Sequence, residues 1–260
     1  MFSDQRFQQA LSEYFGEGVQ YDDSHPHYDH VKLLLIAIRN IERIHTEFRS
    51  RYDDSRHWPQ QQLLTRSIDD LLATFLLTGN AFYSSAFRDI RGLFETYLLL
   101  NYMNDHKIET AMVHRKQDRK LKARNPTETE MQQLTWDELY IEDEFHRMRR
   151  DEKNRLEEQH SEFKQLYNFL SNRHVHPVRF EGIDLQRTYD AQKEKELIDW
   201  QLDITLGLIF QLIKLYADVE GFQEIVNELA PIGEEIETTH TPQSFVYIAE
   251  DTFPLGKENN

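Results

Sequence analysis

Apolar residues recur every three to four positions along most of this chain, and that period fits helices rather than strands. Val31, Leu34, Leu35, Ile38, Ile41, Ile44 and Phe48 mark one face of a helix over His30–Tyr52. Leu63, Leu64, Ile68, Leu71, Leu72, Phe75 and Leu76 mark the next, opened by Trp58-Pro59 and closed by Gly79-Asn80. Proline suits a first helical turn and glycine the residue after a last one. Ala81–Met103 is apolar nearly all round in its C-terminal half, so this helix is expected at the centre of a bundle. Glu194–Ala217 is another long apolar helix, running from Leu197 and Ile198 to Ile213 and Leu215. Shorter helices are expected over Phe2–Phe15, with Ser3 or Asp4 as N-cap, and over Phe222–Leu229, closed by Ala230-Pro231 and Gly233. No segment is rich in strand-forming alternation and no unit repeats. The expected fold is all-α, a bundle of four to six core helices.

Residues 104–162 change character. Arg115–Arg124 carries six basic residues and one acid, Asn125-Pro126 interrupts, and Thr127-x-x-Glu130 is a capping box that restarts a helix. From Met131 to about Phe163 charges dominate, with a sparse stripe of Leu134, Leu139, Ile141, Phe145, Met148 and Leu156. This reads as a protruding charged helical arm inserted in a single domain over 1–233. Residues 234–260 read as a flexible acidic tail, largely extended or disordered.

The net charge is −16, which repels nucleic acid and anionic membranes except where a local basic patch overrides it. The run at 115–124 is such a patch and the expected place for RNA. Asp and Glu are abundant, Lys (11) is scarcer than Arg (19), and Cys is absent. That balance matches a salt-adapted, halophilic cytoplasm. The lack of Cys excludes disulfides and thiolate metal sites or nucleophiles. The start, MFSDQRFQQ, has no apolar core of a signal peptide, and the apolar run near Leu202–Ala217 is too short and polar to span a bilayer. A cytoplasmic protein without membrane contact is expected.

Familiar catalytic signatures are thin. There is no Gly-rich phosphate loop, no HExxH, no Gly-x-Ser-x-Gly and no zinc set. Glu42-x-x-His45 and Glu157-x-x-His160 resemble halves of a di-iron bundle site, at a frequency that 26 Glu and 12 His produce by chance. His25, His27, Asp29 and His30 lie in one polar loop without a diagnostic metal spacing. No metal or cofactor is called for. Arg39 to His45 fits the Arg-x(4–6)-His motif of HEPN-type ribonucleases but sits in mid-helix under Ile38 and Ile41.

The densest chemistry lies in Phe163–Pro177, FKQLYNFLSNRHVHP. Pro177 forces His176 out of helical geometry, so Arg173, His174 and His176 crowd a helix C-terminus, where the dipole favours protonated imidazoles. In the most apolar helix, Arg88, Arg91 and Glu95 share a stripe. Packed together, these groups suit phosphodiester cleavage: histidine as base and acid, arginine against the transition-state charge, and Glu95 orienting an imidazole.

Taken together, FRDIRGLFETYLLLNY over Phe87–Tyr102 and YNFLSNRHVHP over Tyr167–Pro177 resemble a prokaryotic family of uncharacterised helical proteins. Its members pair an Arg-x-x-(Leu/Phe)-Glu helix with a Tyr-x-x-Leu-Ser turn that ends in His-Pro, and they are distantly HEPN-like. Arg173 and His176 have only two residues between them, a departure from the ribonuclease spacing. The resemblance implies a metal-independent ribonuclease or RNA-binding effector of a defence or stress system, acting as a homodimer. His176, His174, Arg173, Glu95 and Arg91 would be catalytic, and Arg88, Tyr167 and Ser171 would bind substrate. The alternative is a non-enzymatic interaction protein, with a structural histidine turn and an arm that binds a partner.

Overall fold

The computed structural model describes residues 3–16, 21–51, 57–114, 142–159, 163–165, 167–168 and 189–239. It is an all-α helical bundle. Helices α1 (Asp4–Phe15), α2 (Tyr28–Arg51), α3 (Trp58–Gly79) and α4 (Tyr83–Asp105) follow one another. A further helical segment spans 107–114. Then come α5 (Glu142–Gln159), α6 (Ala191–Leu215) and α7 (Phe222–Thr239). No described helix is long and apolar enough to cross a membrane.

Helix starts follow local chemistry. The Ser3 side chain accepts from the Arg6 N–H and caps α1, Pro59 occupies the first turn of α3, and Asp190 accepts from the Gln192 and Lys193 N–H groups to cap α6.

The centre is α6, not α4 as the apolar pattern implied. It packs on α2, α3, α4 and α7, and every residue from Trp200 to Leu215 is buried. The polar residues that interrupt its apolar run are bonded inside. Gln201 Nε2 donates to the Leu197 carbonyl and the Thr78 hydroxyl, and Thr205 donates to the Gln201 carbonyl. A buried polar group costs little once it is paired. Helix α4 keeps Arg91 and Glu95 half-exposed and Gly92 exposed, so one of its faces meets water. At Gly207 an added Cβ would lie 2.8 Å from Tyr97 Cε2, so glycine sets how closely α6 and α4 approach.

Two other boundaries differ from the pattern. Helix α7 runs through Pro231 to Thr239, so residues 234–239 belong to a helix rather than to an extended tail. A proline inside a helix costs about 3 kcal/mol. Ile232 and Ile236 lie beyond it and are buried on the stripe of Ile225 and Leu229. Burial of such side chains is worth roughly 1.5–3 kcal/mol each, enough to carry the helix across. Residues 240–260 lie outside the described residues, as do 115–141. The rest of the expected arm, α5, does not protrude. It lies on α4 with Phe145, Met148, Glu152 and Leu156 buried.

Candidate functional site

The seam between α4 and α5 brings three of the expected site residues together. Arg91 donates through Nε and Nη2 to Glu95 Oε1 at 3.1 and 3.0 Å, one helical turn away. The Tyr167 hydroxyl donates to the same oxygen at 3.4 Å. Glu95 Oε2 accepts from Arg149 Nη1 of α5 at 2.6 Å. Four donors thus converge on one carboxylate, three on Oε1 and one on Oε2. The Arg91 and Glu95 side chains are each 20% exposed, so the pair touches water.

Tyr167 forms the floor of this face. Lys153 Nζ stands 4.5 Å from its ring centroid and the Arg91 guanidinium 5.9 Å, both within cation–π range. Phe94 and buried Phe163 pack beside it. Lys153 also meets Glu157 at 3.1 Å. Arg149 Nη2 reaches His146 Nδ1 at 2.9 Å, and since a guanidinium only donates, Nδ1 is the accepting nitrogen. Arg88 is exposed on α4, outside these bonds. Ser171, Arg173, His174 and His176 lie outside the described residues, as does the basic run 115–124.

Arg149, Lys153 and His146 were not singled out from the sequence. They lay inside a helix read as a solvated arm, where nothing local says which face docks. The spacing of 146, 149, 153 and 157 on one side of α5 was the available signal.

A second cluster lies deeper on the same seam. Glu152 is fully buried and accepts from Asn101 Nδ2 at 2.5 Å, Arg155 Nη2 at 2.6 Å and Arg155 Nε at 3.0 Å. Gln211 Nε2 and Lys214 Nζ of α6 donate to Asn101 Oδ1 at 2.7 and 3.0 Å. Lys214 also pairs with Asp105 at 3.0 Å. Charges and amides from three helices form one connected set, which fixes the register of α5 against the bundle.

The weaker sequence matches do not assemble. Arg39 pairs with Glu13 and Glu42 accepts from Tyr14, both toward α1. His45 points elsewhere, buried between α3 and Tyr216. Its Nε2 lies 3.1 Å from the Gln61 carbonyl, so Nε2 carries the proton and Nδ1 accepts from the Tyr216 hydroxyl, also at 3.1 Å. Burial, with nearby Arg49, lowers its pKa from 6.5 to about 4. It is a neutral core histidine.

The loop histidines are docking groups as well. His25 Nε2 stands 3.2 Å from Glu194 Oε2, and His27 Nε2 lies 2.9 Å from the Ala191 carbonyl. Tyr21 donates to Glu194 Oε1. Burial first, then the Glu194 charge, raises the Tyr21 hydroxyl strongly; the same causes bring Tyr189 to about 12. Among the described residues no group of three His, Asp or Glu could hold a metal ion.

The α4–α5 face is therefore a cationic, aromatic surface built around a carboxylate that is already engaged. No family model, no curated protein and no solved structure matches the chain, so its own geometry carries the reading.

Proposed function

We propose that this chain is a HEPN-like helical effector that binds RNA at the α4–α5 face. One observation carries the reading: Arg91 and Lys153 stand over the Tyr167 ring, with Arg149 on the Glu95 carboxylate that Tyr167 also bonds, on a chain whose net charge is −16. Guanidinium and ammonium groups recognise phosphate, and an aromatic floor receives a base by stacking. From Tyr167 the sequence runs on to Ser171, Arg173, His174 and His176. In this proposal His174 and His176 act as base and acid without a metal, Arg173 stabilises the charge on the reacting phosphate, and Arg88 and Ser171 hold the strand. The active form is a cytoplasmic homodimer.

The test is incubation of labelled RNA at high salt with wild type, His176→Ala and a double variant, Arg149→Ala with Lys153→Ala. Binding that disappears in the double variant, and cleavage that disappears in His176→Ala at an unchanged melting temperature, supports the proposal. RNA left unbound and uncut by the wild type overturns it.

The engagement of Glu95 on both oxygens favours a second reading. Three of its donors crowd Oε1 and Arg149 occupies Oε2, so the carboxylate is committed to holding α4, α5 and Tyr167 together. The face then locks α5 onto α4 in an interaction protein, and the histidine turn is structural. In that case His176→Ala lowers the melt and wild type leaves RNA intact.

A further inference from the structure

We propose that Glu95 is an internal competitor for the anion that binds the α4–α5 face, so that only a multiply charged strand displaces it. The inference rests on the anion-binding reading above and concerns its selectivity.

The geometry is that of a tethered ligand mimic. Glu95 sets one oxygen on the Nε and Nη2 edge of Arg91 and the other on Arg149, as two oxygens of a phosphate group would lie. Glu157 does the same, less completely, for Lys153. Three cations thus face two carboxylates, which leaves one positive charge in excess. Glu95 sits one turn from Arg91 on the same helix, so the carboxylate cannot diffuse away. Tethered groups act at effective concentrations of about millimolar or more. A single free phosphate must outcompete that carboxylate with one contact. A strand engages Arg91, Arg149 and Lys153 together, and its further contacts offset the loss of the two carboxylate pairs. The face is 20% to 32% exposed at Arg91, Glu95 and Arg149, which lets an incoming anion reach the pairs without unfolding α5.

Removing the negative charge at 95 should therefore improve binding, the opposite of what a catalytic or purely structural carboxylate predicts. Glu95→Gln keeps a carbonyl oxygen for Arg91 and Tyr167 and raises the local charge to +2. The experiment measures binding of a short single-stranded RNA and of tripolyphosphate to full-length wild type and Glu95→Gln, with a thermal melt of each. The expected result is RNA bound about tenfold more tightly by the variant, and tripolyphosphate bound measurably by the variant only. The salt dependence should also steepen, by roughly 0.7 for each further phosphate neutralised. Equal or weaker binding of both probes by a cooperatively melting variant overturns the inference. If Glu95→Gln does not fold, Glu157→Gln replaces it, with a smaller gain expected and none overturning. Tighter tripolyphosphate binding with RNA ignored by both proteins supports the competitor role and removes the RNA reading. No binding of either probe to any variant removes both.

Discussion

Two carboxylates on the α4–α5 seam hold guanidinium partners, and depth separates them. Glu152 is fully buried, bonded to Arg155 and to Asn101, and through Asn101 to Gln211 and Lys214. Glu95 touches water and its partners are half-exposed side chains. Emptying the buried site leaves the Asn101 amide with no replacement for its lost bond, whereas Arg155, 37% exposed, can turn to water. At the outer site water takes up the released donors, so its ion pairs are exchangeable. The inner cluster builds the seam, and the outer one is available to a ligand.

The largest expected effect tests the inner half of that contrast. Glu152→Ala should lower stability by about 2–3 kcal/mol, read from urea unfolding, because the buried Asn101 amide loses its acceptor and a cavity is left beside Met148 and Leu156. A loss below about 1 kcal/mol would erase the distinction between the two sites.

His45 sharpens the comparison with a buried group that is neutral rather than ionised. Folded His45 titrates at about 4, against 6.5 for an ordinary imidazole. Between those values the unfolded chain binds a proton that the folded chain refuses. Stability should therefore fall as pH drops from 6.5 to about 4, by roughly 3 kcal/mol at most, and this contribution should level off below. Denaturation at a series of pH values measures it, and His45→Gln should flatten that segment of the curve.

Gly207→Ala probes the packing beside the inner cluster. The new methyl would press on Tyr97, and a loss of about 1–3 kcal/mol is expected by thermal or urea unfolding. The smallest effect belongs to the outer site. Arg149→Ala should change stability by roughly 0–1 kcal/mol, less still at high salt, because the pair is partly solvated. A loss comparable to that of Glu152→Ala would make the outer pair structural and its exchange with a ligand untenable.

The helices were legible because burial imposes a period that composition cannot hide. Val31 to Phe48 and Leu63 to Leu76 set α2 and α3 almost to the residue. Polarity was harder to place. Asp203, Gln211 and Lys214 interrupt the apolar run of α6, and only the packed bundle reveals them as interior groups. Glu152 occupies a core position four residues from both Met148 and Leu156, yet a carboxylate in a charged helix reads as solvated. At the outer site Arg91 and Glu95 were visible as a local pair. Arg149, which completes the carboxylate's shell, could not be paired with them before α5 was known to dock. Pro231 and Gly233 looked like a stop, and the apolar stripe beyond them decided otherwise.

The central place of α6 has a consequence for how the chain is made. Helices α2, α3 and α4 end by Asp105, while the helix that fills the space among them begins only at Ala191. On the ribosome α2, α3 and α4 can pack on one another, but the sides that meet α6 have no partner until it has emerged. Those sides stay open through the synthesis of all the intervening residues. The nascent chain thus passes through a period of exposure to aggregation. Completion of the core is timed by the arrival of one late segment.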